Sequence, residues 1–400
     1  HPDADRLNLT SVDVGADDPL QIVCGAPNVA IGLNVPVATV GTRLYDGDES
    51  FKIKRSKIRG QISNGMICGP DEIGLGAKTD GIMELPEDAE VGMAGADYFN
   101  INEDVVFEIG LTPNRSDAMS HIGVARDLKA VLNSRGDDLK MCLPSIKDFK
   151  IDNKDLTIDV NIESEALCPR YSGVSISNVI VNESPDWLKH KLLSIGINPI
   201  NNIVDITNYV LHETGQPLHA FDTEKILGKE IVVKTLKKDT NFITLDESKR
   251  KLSENDLMIC NAEEPMCIAG VFGGLDSGVT NDTKSIFIES AYFDPTSIRK
   301  TAKYHKLNTD ASFRYERGCD PNITVYALKR AALLVQELCG GVISSDVVDV
   351  YPNPIEDFSI NFSYNNLNKL IGEELDRNLV KSIIKNLEIK ITDENYDSLS

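Results

Sequence analysis

Residues 201–222, NNIVDITNYVLHETGQPLHAFD, constrain the fold more than any other stretch of the chain. Ile203, Val204, Ile206, Tyr209, Val210 and Leu211 recur at helical spacing and bury one face of a helix. Gly215 stops that helix, with Pro217 just beyond it. The remaining residues are more polar than packing requires. Asn201, Asn202, Asp205, Asn208, His212, Gln216 and His219 crowd onto the helix and the loop that leaves it. Loops held by rigid elements concentrate binding groups. Taken singly, each of these residues also fits a plain helix with caps and a turn.

Composition bounds the possibilities. The chain has 400 residues and is 41% hydrophobic, enough for roughly two to four domains with real cores. No apolar run reaches the ~18 residues of a membrane span, and no signal peptide is visible, so the chain reads as cytoplasmic with no membrane partner. The 8 cysteines form no CxxC pair, which argues against a zinc site and a disulfide framework and leaves no metal site to expect. A net charge of −21 argues against general nucleic-acid affinity, and no DNA partner is expected. Charge is local, however. Lys52, Lys54, Arg55, Lys57 and Arg59 crowd together, with Ile53 and Ile58 between them, and read either as a solvated face or as an RNA-binding strip. A second basic group, Arg299, Lys300, Lys303, His305 and Lys306, precedes Arg314 and Arg317. His1 in place of Met, and an end soon after the strand-like LEIKIT, read as cuts from something larger.

The fold class expected is multidomain α+β. Residues 1–98 show short apolar alternations broken by Gly, Pro, Asn and Asp, which suggests a small β-barrel or sandwich. Residues 99–135 read as a small α+β connecting module, with Met119, Ile122, Ala125, Leu128 and Leu132 along one helical stripe. Residues 136–152 are a linker. Residues 153–345 form the main α+β body. There Ser184 and Pro185 open a helix whose stripe is Leu188, Leu192 and Ile195, and strands follow at 231–233, 242–245, 257–260, 268–272 and 285–289. A helix over 324–338 closes it. Residues 346–400 hold a strand at 358–362 and helices at 365–371 and 378–387, the second capped by Asp376. That arrangement suits a nucleic-acid reader or a packing module.

No P-loop, GxSxG elbow or HExxH occurs. The glycine-rich IAGVFGG, residues 268–274, lacks the lysine of a phosphate loop and reads as a strand that lets a backbone or ligand approach.

In order along the chain, CPRYSG, INNIVDITNYV, GQPLHAFD, IAGVFGG, IESAYFDPTSIRKTA and NTDASFRYERGCDP closely resemble the editing domain of bacterial phenylalanyl-tRNA synthetase β subunits. HPDADRL, IVCGAPN and SNGMICG resemble the tRNA-binding oligonucleotide-fold domain of several synthetases, with the strand that precedes HPDADRL missing. The resemblance therefore implies an N-terminal oligonucleotide-fold β-barrel, a central editing domain at 153–345 and a truncated winged-helix-like domain at 346–400. It implies an aminoacyl-tRNA synthetase subunit that binds tRNA-Phe and hydrolyses mischarged Tyr-tRNA-Phe. The α subunit of an α2β2 heterotetramer would perform the ATP- and Mg2+-dependent charging, and no cofactor would bind here. Carried over residue by residue, Asn208, His219, Glu289 and Thr309 take catalytic roles, while Pro217, Gly270 and Ala311 line the pocket. Asn198 stands where the resemblance leads to the expectation of an Arg. The competing reading is a tRNA-docking scaffold with an inactive pocket.

The chemistry supports one of these assignments independently. A hydrophobic pocket discriminates poorly against an isostere that only gains a hydroxyl, so rejecting tyrosine needs a second site that rewards the hydroxyl. A carboxylate at Glu289, set between Ile286, Phe287, Ile288 and Ala291, Tyr292, Phe293, would accept a phenol O–H and be left unpaired by phenylalanine.

Overall fold

The computed structural model describes residues 6–46, 49–76, 79–99, 101 and 104–400. Most of HPDADRL, and the Gly47–Asp48 pair of the turn expected near residue 47, lie outside the described residues. The chain forms two compact units, His1–Val105 and Val106–Ser400.

The first unit is built from β1 (Asn8–Val12), β2 (Leu20–Cys24), β3 (Val37–Thr39), β4 (Arg43–Asp46), β5 (Glu49–Lys52), β6 (Ser56–Ile58), β7 (Gln61–Ser63), β8 (Gly65–Ile67) and the single turn α1 (Gly95–Tyr98). The strands pair antiparallel in twos, as β1–β2, β3–β8, β4–β5 and β6–β7. Side chains tie the pairs together: Gln21 Nε2 donates to Ile62 O and Val23 N donates to Ser63 Oγ. Ile22, Cys24, Ile67 and Ile82 fill one small core, and Ala38, Leu44, Ile53 and Cys68 another. The ladders are short, and among the described residues they do not close a continuous barrel. Asn28 of the CGAPN segment is a brace. It donates to Ile82 O and accepts from Ile82 N, both at 2.9 Å.

The second unit opens on α2 (His121–Ser134), capped by Ser120. Residues 105–111 form no strand among the described residues, so the connecting module is helical rather than α+β. Leu128 is exposed and Ala130 takes its place on the buried stripe. After an irregular stretch come β9 (Asp159–Ile162), β10 (Arg170–Ser177), α3 (Asp186–Ser194), α4 (Asn202–Thr214), β11 (Leu218–Asp222) and β12 (Glu230–Thr235). Next are β13 (Asn241–Ile243), β14 (Lys249–Lys251), β15 (Leu257–Cys260), β16 (Pro265–Ile268), β17 (Phe272–Gly273) and β18 (Ser285–Tyr292). The body closes with α5 (Pro295–His305), α6 (Asp310–Tyr315), α7 (Thr324–Cys339), β19 (Val342–Ile343) and β20 (Val348–Val350).

Two sheets result. One runs β11-β18-β10, with β19 and β20 both on β10, and the other runs β17-β16-β15-β12-β9. Alternation along the strands sorts two cores onto the two faces of the first sheet. Val174, Ile176, Ala220, Ile286 and Ile288 face α3, α4 and α7. Tyr171, Phe221, Phe287 and Ala291 face the second sheet, α5 and α6.

Several sequence expectations change here. The signature helix is α4, with Asn201 accepting from Ile203 N and Val204 N as its cap and Gly215 left-handed at its end (φ 82°). His219 lies on a strand, not on the loop. Two of the polar residues are structural. Asp205 accepts from Ser184 Oγ and Ile200 N, and Asn202 bonds Ile180 O and Asn182 N. Ile195 is exposed at the end of α3. The segment 268–272 is not one strand but the β16–β17 hairpin, turning at residues 269–271.

The C-terminal part holds β21 (Phe362–Ser363), α8 (Tyr364–Ile371), α9 (Arg377–Asn386) and β22 (Ser398–Leu399) around Tyr364, Val380 and Leu399. Asp376 caps α9 as expected. Residues 358–361 and LEIKIT form no strand, because neither has a ladder partner. α9 instead rests on α2, where Asn133 Nδ2 donates to Asn386 Oδ1 at 2.8 Å and Glu388 pairs with Arg126 and Lys129.

Candidate functional site

The candidate site grows from one face of the β11-β18-β10 sheet. In its register Glu289 of β18 stands opposite His219 of β11 on one side and Gly173 of β10 on the other. Directly opposed residues project from the same face, so Glu289 and His219 are neighbours. Gly173 has no side chain because the Phe287 ring lies where one would go; a Cβ there would meet Phe287 Cζ at 2.1 Å.

Glu289 is 4% exposed. Its Oε2 accepts a 2.8 Å hydrogen bond from Tyr171 Oη. Burial pushes its carboxyl up to about 8, and the Tyr171 bond offsets only part of that rise. Near neutral pH the group is therefore mainly an uncharged acid. It can offer an O–H to a ligand, which replaces the charge-assisted acceptance expected from sequence.

His219 stacks edge-on against Phe221, ring centroids 4.4 Å apart. Burial lowers its imidazole to about 4, so it too is uncharged. Its Nε2 is buried with no hydrogen-bond partner. Unpaired buried polar atoms are rare and ask for an explanation, a missing ligand or water among them.

The other expected residues divide into groups. Thr309 caps α6, and its Oγ1 donates to Val271 O at 3.0 Å, which pins α6 to the β16–β17 turn. Gly270 forms that turn at φ 65°. A Cβ on Gly270 would point into the core, 2.9 Å from Phe293 and Tyr315 and 3.0 Å from Ile298. The turn geometry thus requires glycine here, rather than a passing substrate. Ala311 packs on the same core. The carbonyl of Pro217 accepts from Gln216 Nε2 and Tyr315 Oη. Asn208 stands apart. It is on α4, whose buried residues Ile203, Ile206 and Val210 cover the opposite face of the sheet from Glu289.

Sequence reasoning missed Tyr171 and Gly273. A Cβ on Gly273 would lie 3.4 Å from His219 Cε1, so this glycine, not Gly270, borders the histidine. The paired glycines of VFGG were the available signal. The Tyr171–Glu289 bond spans 118 positions and leaves no local trace.

In the first unit, Lys52, Lys54, Arg55, Lys57 and Arg59 are all exposed, while Ile53 is buried beneath them. None forms an ion pair among the described residues. Strand geometry holds only at β5 and β6, so the cations follow a bent edge rather than one flat strand face.

The raised Glu289 carboxyl makes stability depend on pH. Below its ordinary value near 4.5 both folded and unfolded chains hold the proton, and no difference arises. Between there and about 8 only the folded chain keeps it, so stability falls as pH rises. Glu289→Gln removes this dependence. Its unfolding free energy, measured in urea, should gain on that of the native chain between about pH 5 and pH 8, by up to a few kcal/mol at ~1.4 kcal/mol per pH unit. A constant difference across that range would mean Glu289 is charged when folded.

A family model described as "B3/4 domain" matches residues 167–340, and one described as "Putative tRNA binding domain" matches residues 1–94. The phenylalanine–tRNA ligase β subunits of Bacteroides fragilis and Bacteroides thetaiotaomicron are 56% and 57% identical over 400 residues, 100% of this chain and 49% of each relative. That of Porphyromonas gingivalis is 53% identical over 395 residues, 98% of this chain and 48% of the relative. A crystal structure of an N-terminal fragment of the Pyrococcus horikoshii phenylalanyl-tRNA synthetase β subunit aligns over 72% of this chain and 78% of that one, at 16% identity and a TM-score of 0.35, too low for a shared fold to follow. The matched domains are those of a tRNA-synthetase component. The chain belongs to the phenylalanine–tRNA ligase β subunit family, and it spans about half the length of the curated relatives it matches.

Proposed function

We propose that this chain binds tRNA-Phe and hydrolyses tyrosine wrongly esterified to it. Phenylalanine would be attached on a partner α subunit of an α2β2 assembly in the cytoplasm. The observation that carries the reading is the buried Glu289 set opposite an uncharged His219 whose Nε2 lacks a partner. Such a pair rewards a ligand hydroxyl and gains nothing from a bare phenyl ring. Selection against phenylalanine is what an editing site must achieve.

Glu289 contacts the phenol, His219 pairs with the substrate or a water, and the β16–β17 turn, held by Thr309, shapes the wall. No side-chain nucleophile is assigned. The attacking water is held by backbone groups and the terminal ribose hydroxyl. ATP and Mg2+ belong to the charging step on the α subunit. Among the described residues of this chain, no three His, Cys, Asp or Glu side chains gather to hold a metal.

The test is single-turnover release of amino acid from preformed Tyr-tRNA-Phe and Phe-tRNA-Phe by the complete synthetase. Rapid loss of the tyrosyl ester alone is expected. Release of both esters no faster than their spontaneous loss, while tRNA still binds, would leave the docking-scaffold reading in its place, and rapid release of both alike would overturn the selection of tyrosine.

The first unit is read as an oligonucleotide-fold barrel and residues 346–400 as a winged-helix-like module. The exposed cations at 52–59 meet tRNA phosphates in this reading. Lys54→Glu with Lys57→Glu should weaken tRNA binding and flatten its dependence on salt, by about one unit of log–log slope per lost phosphate contact. Unchanged affinity and slope would assign the strip to keeping an exposed edge soluble.

A further inference from the structure

Tyr171 is fully buried in the core between the two sheets, and among the described residues its hydroxyl makes one hydrogen bond, the 2.8 Å donation to Glu289 Oε2. While the Tyr171 hydroxyl donates to it, Oε2 is the acceptor and the uncharged carboxyl carries its proton on Oε1. No described residue bonds Oε1, and it is not among the buried side-chain atoms sealed without a partner. One oxygen of Glu289 is spoken for, and the other remains reachable.

We propose that Tyr171 is a positioning residue: by holding Oε2 it orients the carboxyl so that Oε1–H is offered as a donor to the phenolic oxygen of a tyrosyl ester. This rests on the editing reading above. Without the phenol, the carboxyl can rotate and present either oxygen, and the donor is lost part of the time.

The surroundings favour the uncharged form. The titratable groups around Glu289 are Tyr171 on β10 and Cys168 just before it, His219 on β11, Cys267 on β16 and Tyr315 on α6. Burial pushes both thiols and both phenols well above their ordinary values. Burial pushes His219 down. All five are uncharged near neutrality, and no lysine or arginine among the described residues lowers the Glu289 carboxyl.

The experiment compares Tyr171→Phe, Glu289→Gln and the native chain in the complete synthetase. Single-turnover hydrolysis of Tyr-tRNA-Phe and Phe-tRNA-Phe is followed from about pH 5 to pH 9, beside thermal melting. Tyr171→Phe keeps the ring and the packing. It should lower the ratio of tyrosyl to phenylalanyl hydrolysis about tenfold or more. It should also move the pH midpoint of that ratio upward, because the bond it removes is one that lowers the Glu289 carboxyl. In Glu289→Gln the Tyr171 phenol selects the amide oxygen, so the NH2 faces the substrate. The ratio should survive and lose its pH dependence.

An unchanged ratio and midpoint in folded Tyr171→Phe would reduce Tyr171 to core packing and overturn the proposal. If Tyr171→Phe does not fold, Glu289→Gln decides: loss of the ratio there shows that Oε1 does not act as a donor. Should the native complex fail to prefer the tyrosyl ester at all, the editing reading fails first, before either variant is compared.

Discussion

Glu289→Ala should abolish the preference for tyrosyl over phenylalanyl esters, lowering Tyr-tRNA-Phe hydrolysis by about a hundredfold or more while charging of tRNA-Phe continues. One hydrogen bond to an uncharged partner is worth roughly tenfold. The larger figure follows because alanine also frees the Tyr171 hydroxyl and opens space beside His219, so the substrate ring loses its placement as well as its bond. The fold should survive. Alanine strands the Tyr171 O–H at a cost of about 1–3 kcal/mol. Against that, it removes a carboxyl whose burial is itself unfavourable above its ordinary titration range. The net shift in melting temperature should be a few degrees. Deacylation and melting measured on the same preparation separate the outcomes. A fully folded variant that still hydrolyses Tyr-tRNA-Phe at the native rate would remove Glu289 from the site, and a grossly unfolded one would show that the acid is chiefly a core partner for Tyr171.

The contrast between Glu289 and Gly270 shows how much of this site was readable in advance. Glu289 could be picked out because a lone acid in an apolar run violates strand alternation, and that violation is local. α4 and its caps were legible for the same reason, since a 3.6-residue period and a terminal Gly215 lie within one short segment. Pairing was not legible. Tyr171 meets Glu289, and Asp205 meets Ser184, only after distant strands and helices dock. The expected strand at 358–362 is realised only at Phe362, which opens β21, and LEIKIT forms none, for a related reason. Apolar alternation marks a segment able to pair, and among the described residues neither 358–361 nor 387–391 joins a ladder. α5 escaped notice because its lysines and Arg299 dominate the reading. Its start is nevertheless marked by Asp294, which accepts from Ser297 N, with Pro295 in the first turn.

Gly270→Trp is the sharpest test of whether that glycine serves the fold or the substrate. The pocket reading expects the indole to fill space that the substrate ring would occupy, with loss of hydrolysis and an intact chain. The structure points the other way. Val271 N closes the turn onto Ile268 O at 3.0 Å, and Gly270 sits at φ 65°, where a residue with a Cβ costs about 1–2 kcal/mol. Its Cβ would then meet Phe293, Tyr315 and Ile298 at 2.9–3.0 Å, inside a filled core. Overpacking by even a few methylenes costs about 1–3 kcal/mol, and an indole adds far more volume. Thr309 and α6 hang from the same turn through Val271 O, so the damage should spread to Tyr315 and to the carbonyls it bonds at Pro217 and Ala291. The expected result is a variant that melts well below the native chain or does not fold. Gly270→Ala should show the same direction more mildly, because it carries the strain without the bulk. Gly273, whose Cβ would face His219 and Leu245, is the position where a small side chain should instead impair hydrolysis first. If Gly270→Trp melts with the native chain and only editing is lost, then the turn tolerates a side chain and Gly270 belongs to the pocket after all.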